Sequence, residues 1–148
     1  MVTIQLQFKD YREITLPCEE RKIIGFMESK AYSVECNELG IDDAYFEGYT
    51  VEMLNLLAEE IEDLSEEQQV DLRYCLSVLN YSNINTAIDS ISNLTVYRDI
   101  TIKALAIEHL KDAEDFNDRY FIYMDLDRYT KDFGIDYNEF EGNVYVNN

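Results

Sequence analysis

Apolar and polar residues alternate in three short segments near the N-terminus, at residues 3–8, 13–16 and 31–36. Alternation with a period of two predicts strands with one buried face. Between the second and third segments, Pro17 is expected to open a short helix, because proline lacks the N–H that the first helical turn leaves unbonded. The apolar side of that helix would carry Ile23, Ile24, Phe26 and Met27. The pattern therefore predicts a small β-β-α-β unit.

From residue 50 onward the apolar residues recur at the spacing of a helix face. The first stripe consists of Val51, Leu54, Leu57, Ala58, Ile61 and Leu64. Ser65 and Gln68 have the spacing of a capping box, which predicts the start of a second helix. The buried side of this helix is expected to contain Leu72, Cys75, Leu76 and Leu79. A third, shorter helix would be capped by Asn83 or Asn85 and would bury Ile84, Ile88 and Ile91. Residues 50–93 are thus predicted to form a small helical bundle.

Strand and helix signals alternate in the last third of the chain. Residues 94–97 predict a strand, and Asp99 is expected to cap the helix that follows. The apolar face of that helix would hold Ile102, Leu105, Ala106, His109, Leu110 and Ala113. A further helix is predicted to start at Asn117 or Asp118 and to close at Phe133. Its inward residues would be Phe121, Met124 or Ile122, Leu126 and Tyr129. A terminal hairpin is predicted around the turn at residues 141–143, which Phe140, Val144 and Val146 flank.

These elements predict an α+β fold built from small modules. We expect an N-terminal β-α module at residues 1–48, a central helical bundle at residues 49–93 and a C-terminal α-β module at residues 94–148. No segment approaches the roughly 20 apolar residues of a membrane-spanning helix, and the N-terminus lacks the features of a signal peptide. The three cysteines have no C-x-x-C spacing, which favours buried thiols in a reducing compartment. The chain is therefore expected to be soluble and cytoplasmic.

The charge of the chain is strongly negative and unevenly distributed. The 31 acidic and 12 basic residues give a net charge of −19, and the pI is about 4.1. Residues 1–37 hold six acids and five bases, so residues 38–148 hold the other 25 acids and seven bases. A chain of this charge repels the phosphate backbone, which argues against nucleic acid as a direct ligand. The aromatic content of 13% indicates a folded protein rather than a disordered acidic tail.

The sequence does not indicate an enzyme or a metal site. His109 is the only histidine, and its place on an apolar helix side predicts a core residue rather than a member of a Ser-His-Asp triad. The segment Asp125-x-Asp127 lacks the glycine and the further oxygen ligands of a calcium loop. The five glycines form no phosphate-binding loop. We therefore expect a protein without catalytic residues, without metal and without cofactor.

The excess of acids suggests imitation of nucleic acid. Duplex DNA carries one charge per roughly 1.7 Å, so an excess of about 18 acids matches about 31 Å of duplex. Asp118, Asp125 and Asp132 recur every seven residues, which would place them on one helix face at intervals of about 10.5 Å. A second cluster is formed by Glu59, Glu62, Asp63 and Glu66. Such surfaces would bind the basic groove of a DNA-binding protein, and salt would weaken the attraction.

Two stretches of the chain resemble signature segments of the ArdA antirestriction proteins. They are residues 64–72, LSEEQQVDL, and residues 123–133, YMDLDRYTKDF. The family pattern in the second segment is approximately Tyr-Ile-Asp-Tyr-x-x-Tyr-x-Arg-Asp-Leu. The matching residues, some with conservative changes, are Tyr123, Asp125, Tyr129, Lys131 and Asp132. Residues 14–18, ITLPC, followed by a charged helix, are also similar to the first module of such proteins. The resemblance runs along most of the chain.

The resemblance implies an elongated DNA mimic of three small modules that is encoded by mobile genetic elements. Such a protein occupies the DNA-binding groove of type I restriction-modification enzymes, protects incoming DNA and dimerises through its last module. The acids expected to act as phosphate surrogates are Glu52, Glu59, Glu60, Glu62, Asp63, Glu66, Glu67, Asp118, Asp125 and Asp132. Tyr123 and Tyr129 are expected to contribute to a homodimer interface.

Other interpretations of the sequence remain open. The near-neutral residues 1–37 would imitate DNA poorly, so the mimicry is confined to residues 38–148, or the first module has another task, or the target differs. An inhibitor of another nucleic-acid machine, such as a CRISPR effector, would use the same electrostatics. A plain acidic interaction module, or a hydrolase, would scatter its acids over all faces or gather them in a pocket. The positions of the carboxylates in three dimensions discriminate among these readings.

Overall fold

The computed structural model describes residues 2–8, 12–26, 33–41, 43–113 and 124–147. The chain divides into two compact units, Met1–Ser92 and Asn93–Asn148. Each unit combines helices with a small antiparallel sheet, so the predicted α+β class is confirmed. The division of the chain into three modules stays a prediction.

A three-stranded antiparallel sheet opens the first unit, with the strand order β2-β1-β3. Its strands are β1 (Ile4–Gln7), β2 (Glu13–Leu16) and β3 (Ser33–Glu35). All three lie within the segments predicted from alternation. In the register of the sheet, Leu6 lies opposite Ile14 of β2 and Val34 of β3. Ile4 and Leu6 are buried and the intervening residues of β1 are exposed, so the alternation directs one face of the sheet to the core.

The helix between β2 and β3 differs from the prediction. Helix α1 spans Glu20–Ile23 and continues as a 3₁₀ turn over Ile24–Phe26. Pro17 does not open it, because the N-cap residue is Glu19 and the helix begins at Glu20. The predicted apolar side is also partly wrong, since Ile23 is buried but Ile24 is 64% exposed. The tighter 3₁₀ turn changes the angle between successive side chains and moves Ile24 off the buried face. Met27 lies outside the described residues.

Three helices follow in the first unit, as the spacing of apolar residues predicted. They are α2 (Val51–Glu62), α3 (Glu66–Ser77) and α4 (Ile84–Ser90), accompanied by 3₁₀ turns at Asn37–Leu39, Asp43–Phe46 and Ile91–Asn93. The hydroxyl of Thr50 accepts a hydrogen bond from the N–H of Met53 at the start of α2. Ser65 and Gln68 form the predicted capping box of α3. Of the two candidate caps for α4, Asn83 is the residue that accepts from the helix N–H groups.

The buried sides of these helices agree with the prediction except near helix ends. The buried residues of the predicted stripes are Val51, Leu54, Leu57, Ala58, Ile61, Leu72, Cys75, Leu76, Ile84 and Ile91. Leu64 and Ile88 are only partly buried. Leu79 was predicted to be buried and is 41% exposed, because α3 ends at Ser77 and Leu79 no longer follows the helix face.

In the described part of the second unit, two helices accompany a sheet of order β4-β6-β5. Its elements are β4 (Val96–Tyr97), α5 (Ile102–Lys111), α6 (Leu126–Phe133), a 3₁₀ turn at Gly134–Asp136, β5 (Tyr137–Phe140) and β6 (Asn143–Val146). The predicted terminal hairpin is confirmed, with Glu141 and Gly142 as its two turn residues. Both have positive φ, 45° and 82° respectively, as a type I′ turn requires. Val144 and Tyr145 of β6 are completely buried. In the described part of the chain, no helix combines the length and apolar character needed to cross a membrane.

Three predictions for the second unit are wrong. Asp99 does not cap α5, because its φ of 51° lies in the left-handed region, and the cap is Thr101, which accepts from the N–H of Ala104. His109 is exposed rather than in the core, because α5 is buried only at Leu105 and Ala106, one turn earlier. The helix predicted from residue 117 or 118 to Phe133 is not continuous, because α6 begins after Asp125. The predicted start of that helix and its residues 121 and 122 lie outside the described residues.

Candidate acidic interface

Seven exposed acidic residues lie on α2, on α3 and on the turn between them. They are Glu52, Glu59, Glu60, Glu62, Asp63, Glu66 and Glu67, and we call this set the α2–α3 acidic surface. All seven were predicted from the sequence as phosphate surrogates. The structure places them together on neighbouring segments of the first unit, at its solvent-exposed surface.

The exposed side of α2 is fixed by what the other side buries. Val51, Leu54 and Ile61 are at most 1% exposed, so the helix cannot rotate without exposing its core residues. Glu52 and Glu59 are seven residues apart and therefore lie on one face, separated by about 10.5 Å along the helix axis. The carboxylates of α2 are consequently carried at defined intervals on a rigid element.

Negative charge is densest where α2 passes into α3. Six of the seven acids fall within residues 59–67. Glu59, Glu60 and Glu62 lie on α2 and Glu66 and Glu67 on α3, and residues 63–65 form the turn between the two helices. Six exposed carboxylates are therefore concentrated within nine consecutive residues.

The acids at the end of α2 are placed against the helix dipole. Glu59, Glu60 and Glu62 occupy its last turn, Asp63 is the C-cap residue, and the last turn contains no basic side chain. The C-terminus of a helix carries partial negative charge, so each exposed acid there costs about 0.3–1 kcal/mol at low ionic strength. At the start of α3, by contrast, Glu66 and Glu67 face the positive end of the dipole and are favourable. The four acids that end α2 thus weaken the helix that carries them.

Basic residues are almost absent from the stretch that contains this surface. Residues 38–92 hold 13 acids and a single base, Arg73. Among the residues that the structure describes, no lysine or arginine forms an ion pair with Glu59, Glu60 or Glu62. Within the described residues, basic side chains therefore do not pair with Glu59, Glu60 or Glu62, and no lysine or arginine occurs in the sequence between Glu52 and Glu67.

The acids predicted in the C-terminal part are arranged differently. Asp125 is the N-cap of α6, and its carboxylate accepts a hydrogen bond from the N–H of Arg128 at 3.1 Å. It therefore does not lie on a helix face with Asp132, and the predicted seven-residue row is wrong for it. Asp132 is exposed on α6, but the same short helix carries Arg128 and Lys131. Asp127 pairs with Lys103 of α5 at 3.9 Å. Residues 93–148 hold 12 acids and six bases, so charge is less concentrated there.

Two of the remaining predicted residues cannot be placed. Asp118 and Tyr123 lie outside the described residues. Tyr129 is partly buried on α6, where its ring lies 6.2 Å from that of Phe133. Phe133 in turn stacks on Tyr137 at 4.7 Å and lies 5.5 Å from the ring of His109. Tyr129 is therefore part of an aromatic row in the second unit.

Sequence reasoning missed two polar residues that position the helices. Asn55 is 5% exposed on α2, and its side-chain amide bonds both backbone groups of Cys18. The carboxylate of Glu139 accepts a hydrogen bond from the N–H of Ile102 at the start of α5. The signal for Asn55 was present, since it is a polar residue flanked by buried Leu54 and Leu57. Glu139 is far from α5 in sequence and gave no comparable signal.

Other features of the described residues carry less concentrated charge. A surface depression of about 730 Å³ in the second unit is lined by residues that include Arg98, Asp99 and Glu108, which mix both signs of charge.

Burial raises the pKa of the Cys36 thiol to about 11 and also raises the pKa values of Cys18 and Cys75. These thiols are therefore protonated near neutral pH. In the described part of the chain, no group of three or more His, Cys, Asp or Glu side chains is placed to hold a metal ion.

Comparisons of the chain with protein-family models, with curated proteins and with solved structures give no match.

Proposed function

We propose that this protein is a DNA mimic that inhibits type I restriction-modification enzymes by occupying their DNA-binding groove. The observation that carries the proposal is the α2–α3 acidic surface, which gathers six exposed carboxylates within nine consecutive residues. In this proposal the protein acts by binding alone, without catalysis, metal or cofactor. Its site of action is the cytoplasm, where restriction enzymes meet incoming DNA.

The placement of the acids at the end of α2 supports a use beyond solubility. A solubilising coat needs a net charge of about 2 to 8 for a small domain, and it places no demand on where the acids lie. Glu59, Glu60, Glu62 and Asp63 lie where the helix dipole makes them unfavourable. Sites that cost stability in this way are common where a surface serves a partner.

A basic groove is the partner that this surface fits best. Like charge repels nucleic acid and anionic membranes, whereas a groove lined with lysine and arginine attracts the surface and steers its approach. Proteins that bind the DNA backbone present grooves of this kind, since most of their affinity comes from phosphate contacts. The resemblance to the ArdA family in residues 64–72 and 123–133 points to type I enzymes among these proteins.

Competition with DNA tests this proposal. A purified type I methyltransferase core is mixed with a fluorescent duplex that contains its recognition site, and the full chain is titrated at about 50 mM salt. We expect the duplex to be displaced, and we expect displacement to weaken steeply as salt is raised. Absence of binding at low salt would contradict the choice of target. Displacement of DNA from a CRISPR effector, with none from the methyltransferase, would redirect the proposal to that class.

Self-association is a further part of this proposal. Tyr129 belongs to an aromatic row with Phe133 and Tyr137 whose members are each partly exposed. Partly exposed aromatic side chains are enriched at protein interfaces. We therefore expect a homodimer, with Tyr123 and Tyr129 in its interface. Sedimentation that shows only monomer at tens of micromolar would contradict it.

A further inference from the structure

The exposed side of α2 carries two apolar residues among its acids. Leu56 is 60% exposed and Met53 is 45% exposed, although both lie on a helix with a well-filled core side. Their spacing of three residues makes them neighbours on the helix surface. An isolated exposed leucine is ordinary on a protein surface. Here the two apolar side chains adjoin one another and form a single small patch.

Carboxylates lie at both ends of this patch along the helix. Relative to Leu56, Glu52 is one turn earlier, Glu59 and Glu60 are one turn later, and all three are exposed. Positions three or four residues apart are adjacent on a helix, so these acids border Leu56 on both sides. Within the described part of the chain, no lysine or arginine forms an ion pair with any of the three. Carboxylates therefore lie on the helix turns before and after Leu56, and no described lysine or arginine pairs with them.

The negative charge of these three glutamates decides which partner can cover the patch. A second copy of the same face would bring its own carboxylates against those of Glu52, Glu59 and Glu60, which is unfavourable. Anionic lipid and nucleic acid are repelled for the same reason. A protein surface that places lysines or arginines around an apolar depression would pair with these carboxylates and would also bury Leu56 and Met53.

We propose that Leu56, with Met53 beside it, is an apolar anchor that inserts into a depression between basic residues of the partner protein. The acids around it supply steering and the salt-dependent part of the affinity, and the leucine supplies a part that salt does not weaken. This inference rests on the proposed function for the identity of the target. It goes beyond charge imitation, because a phosphate backbone offers no equivalent of the leucine side chain.

The test compares two kinds of variant over a range of salt concentrations. The full chain binds a purified type I methyltransferase core, and the Kd is measured from about 50 to 300 mM NaCl. Leu56→Ala should raise the Kd about tenfold at every salt concentration without changing the slope of log Kd against log salt. Glu59→Gln should reduce that slope. Ile24→Ala is the matched control, since Ile24 is 64% exposed outside this face, and its Kd should equal that of the wild type.

The possible outcomes separate the anchor from the proposed function. If the wild type binds and Leu56→Ala binds equally well, the anchor is wrong and charge imitation stands. If the wild type does not bind the methyltransferase, the choice of target is wrong, and two synthetic helical peptides of equal positive charge then test the anchor. On an otherwise identical alanine-lysine helix, one peptide carries leucine and the other carries serine at two positions three residues apart. The anchor requires tighter binding of the leucine peptide and loss of that preference in Leu56→Ala, and equal binding of the two peptides by the wild type overturns it.

Discussion

The side-chain amide of Asn55 bonds both backbone groups of Cys18. The N–H of Cys18 donates to Oδ1 of Asn55 at 3.0 Å, and Nδ2 of Asn55 donates to the carbonyl of Cys18 at 3.2 Å. Cys18 follows the end of β2, and Asn55 lies in the middle of α2 with 5% of its surface exposed. This pair of hydrogen bonds therefore ties the sheet of the first unit to the helix that carries the candidate interface.

Replacing Asn55 should destabilise the first unit. In Asn55→Ala both backbone groups of Cys18 lose their partner, and we expect the free energy of unfolding to fall by about 2–4 kcal/mol. Asn55→Asp keeps the acceptor and loses the donor, so its carboxylate faces the carbonyl of Cys18 and the protein is also destabilised. Urea denaturation followed by circular dichroism measures both changes. Glu52→Ala, an exposed change in the first turn of the same helix, should lose no more than about 0.3–1 kcal/mol, the contribution of its interaction with the helix dipole. A loss of similar size for Asn55→Ala and for this control would show that the contact contributes nothing.

Two glutamates on either side of the α2–α3 turn should have opposite effects on stability. Glu62 lies at the negative end of the dipole of α2, so Glu62→Gln should stabilise the protein by about 0.3–1 kcal/mol at low ionic strength. Glu66 lies at the positive end of the dipole of α3, so Glu66→Gln should destabilise it by a similar amount. Both effects should shrink at about 1 M salt, where the Debye length is near 3 Å. Thermal denaturation of the two variants measures this, and effects of the same sign would contradict the dipole argument.

Cys36 should make the protein less stable at alkaline pH. Burial raises the pKa of its thiol to about 11, so the unfolded chain releases this proton at a lower pH than the folded protein does. Since the unfolded state then binds fewer protons, stability falls as pH rises from about 9 to about 11, and the thiol contributes no pH dependence below that window. The loss amounts to about 2–3 kcal/mol.

Cys36→Ala removes this contribution. Any stability advantage of the wild type over the variant at pH 8 should therefore shrink by pH 11, or reverse in favour of the variant, because only the wild type loses the contribution of the thiol. Urea denaturation at the two pH values measures it. A constant difference would contradict the role assigned to the buried thiol.

Local signals predicted the helices of the first unit well. The stripe from Val51 to Ile61 and the capping box at Ser65 depend on residues within one or two turns, and both are confirmed. The hairpin turn at Gly142 has the same local origin. The exposed acids of the α2–α3 acidic surface follow from these assignments, because residues outside a buried stripe face solvent.

Features that depend on distant contacts could not be predicted in this way. Asp99 has the side chain of an N-cap, but it lies in a turn before α5, where its N–H donates to Oδ1 of Asn143 in β6. Thr101 caps α5 instead. Asp125 has suitable spacing for a helix face and is used as a cap. His109 lies on the apolar side of α5, yet the buried part of that helix ends one turn before it. Periodicity identified α5 and the C-terminal part of the helix predicted to end at Phe133, and tertiary packing decided which residues cap these helices and which are buried.

The proposed function requires that the DNA-binding groove contact the α2–α3 acidic surface. A variant with Glu59, Glu60 and Glu62 each changed to Gln is compared with a control in which Glu13, Glu20 and Glu35 are changed, so both lose the same charge. All six residues are exposed in the first unit. In displacement of duplex DNA from a type I methyltransferase core at about 50 mM salt, we expect the first variant to be weaker than wild type by about tenfold or more. The control should stay close to the wild type, and equal losses in the two variants would contradict a specific interface at this surface.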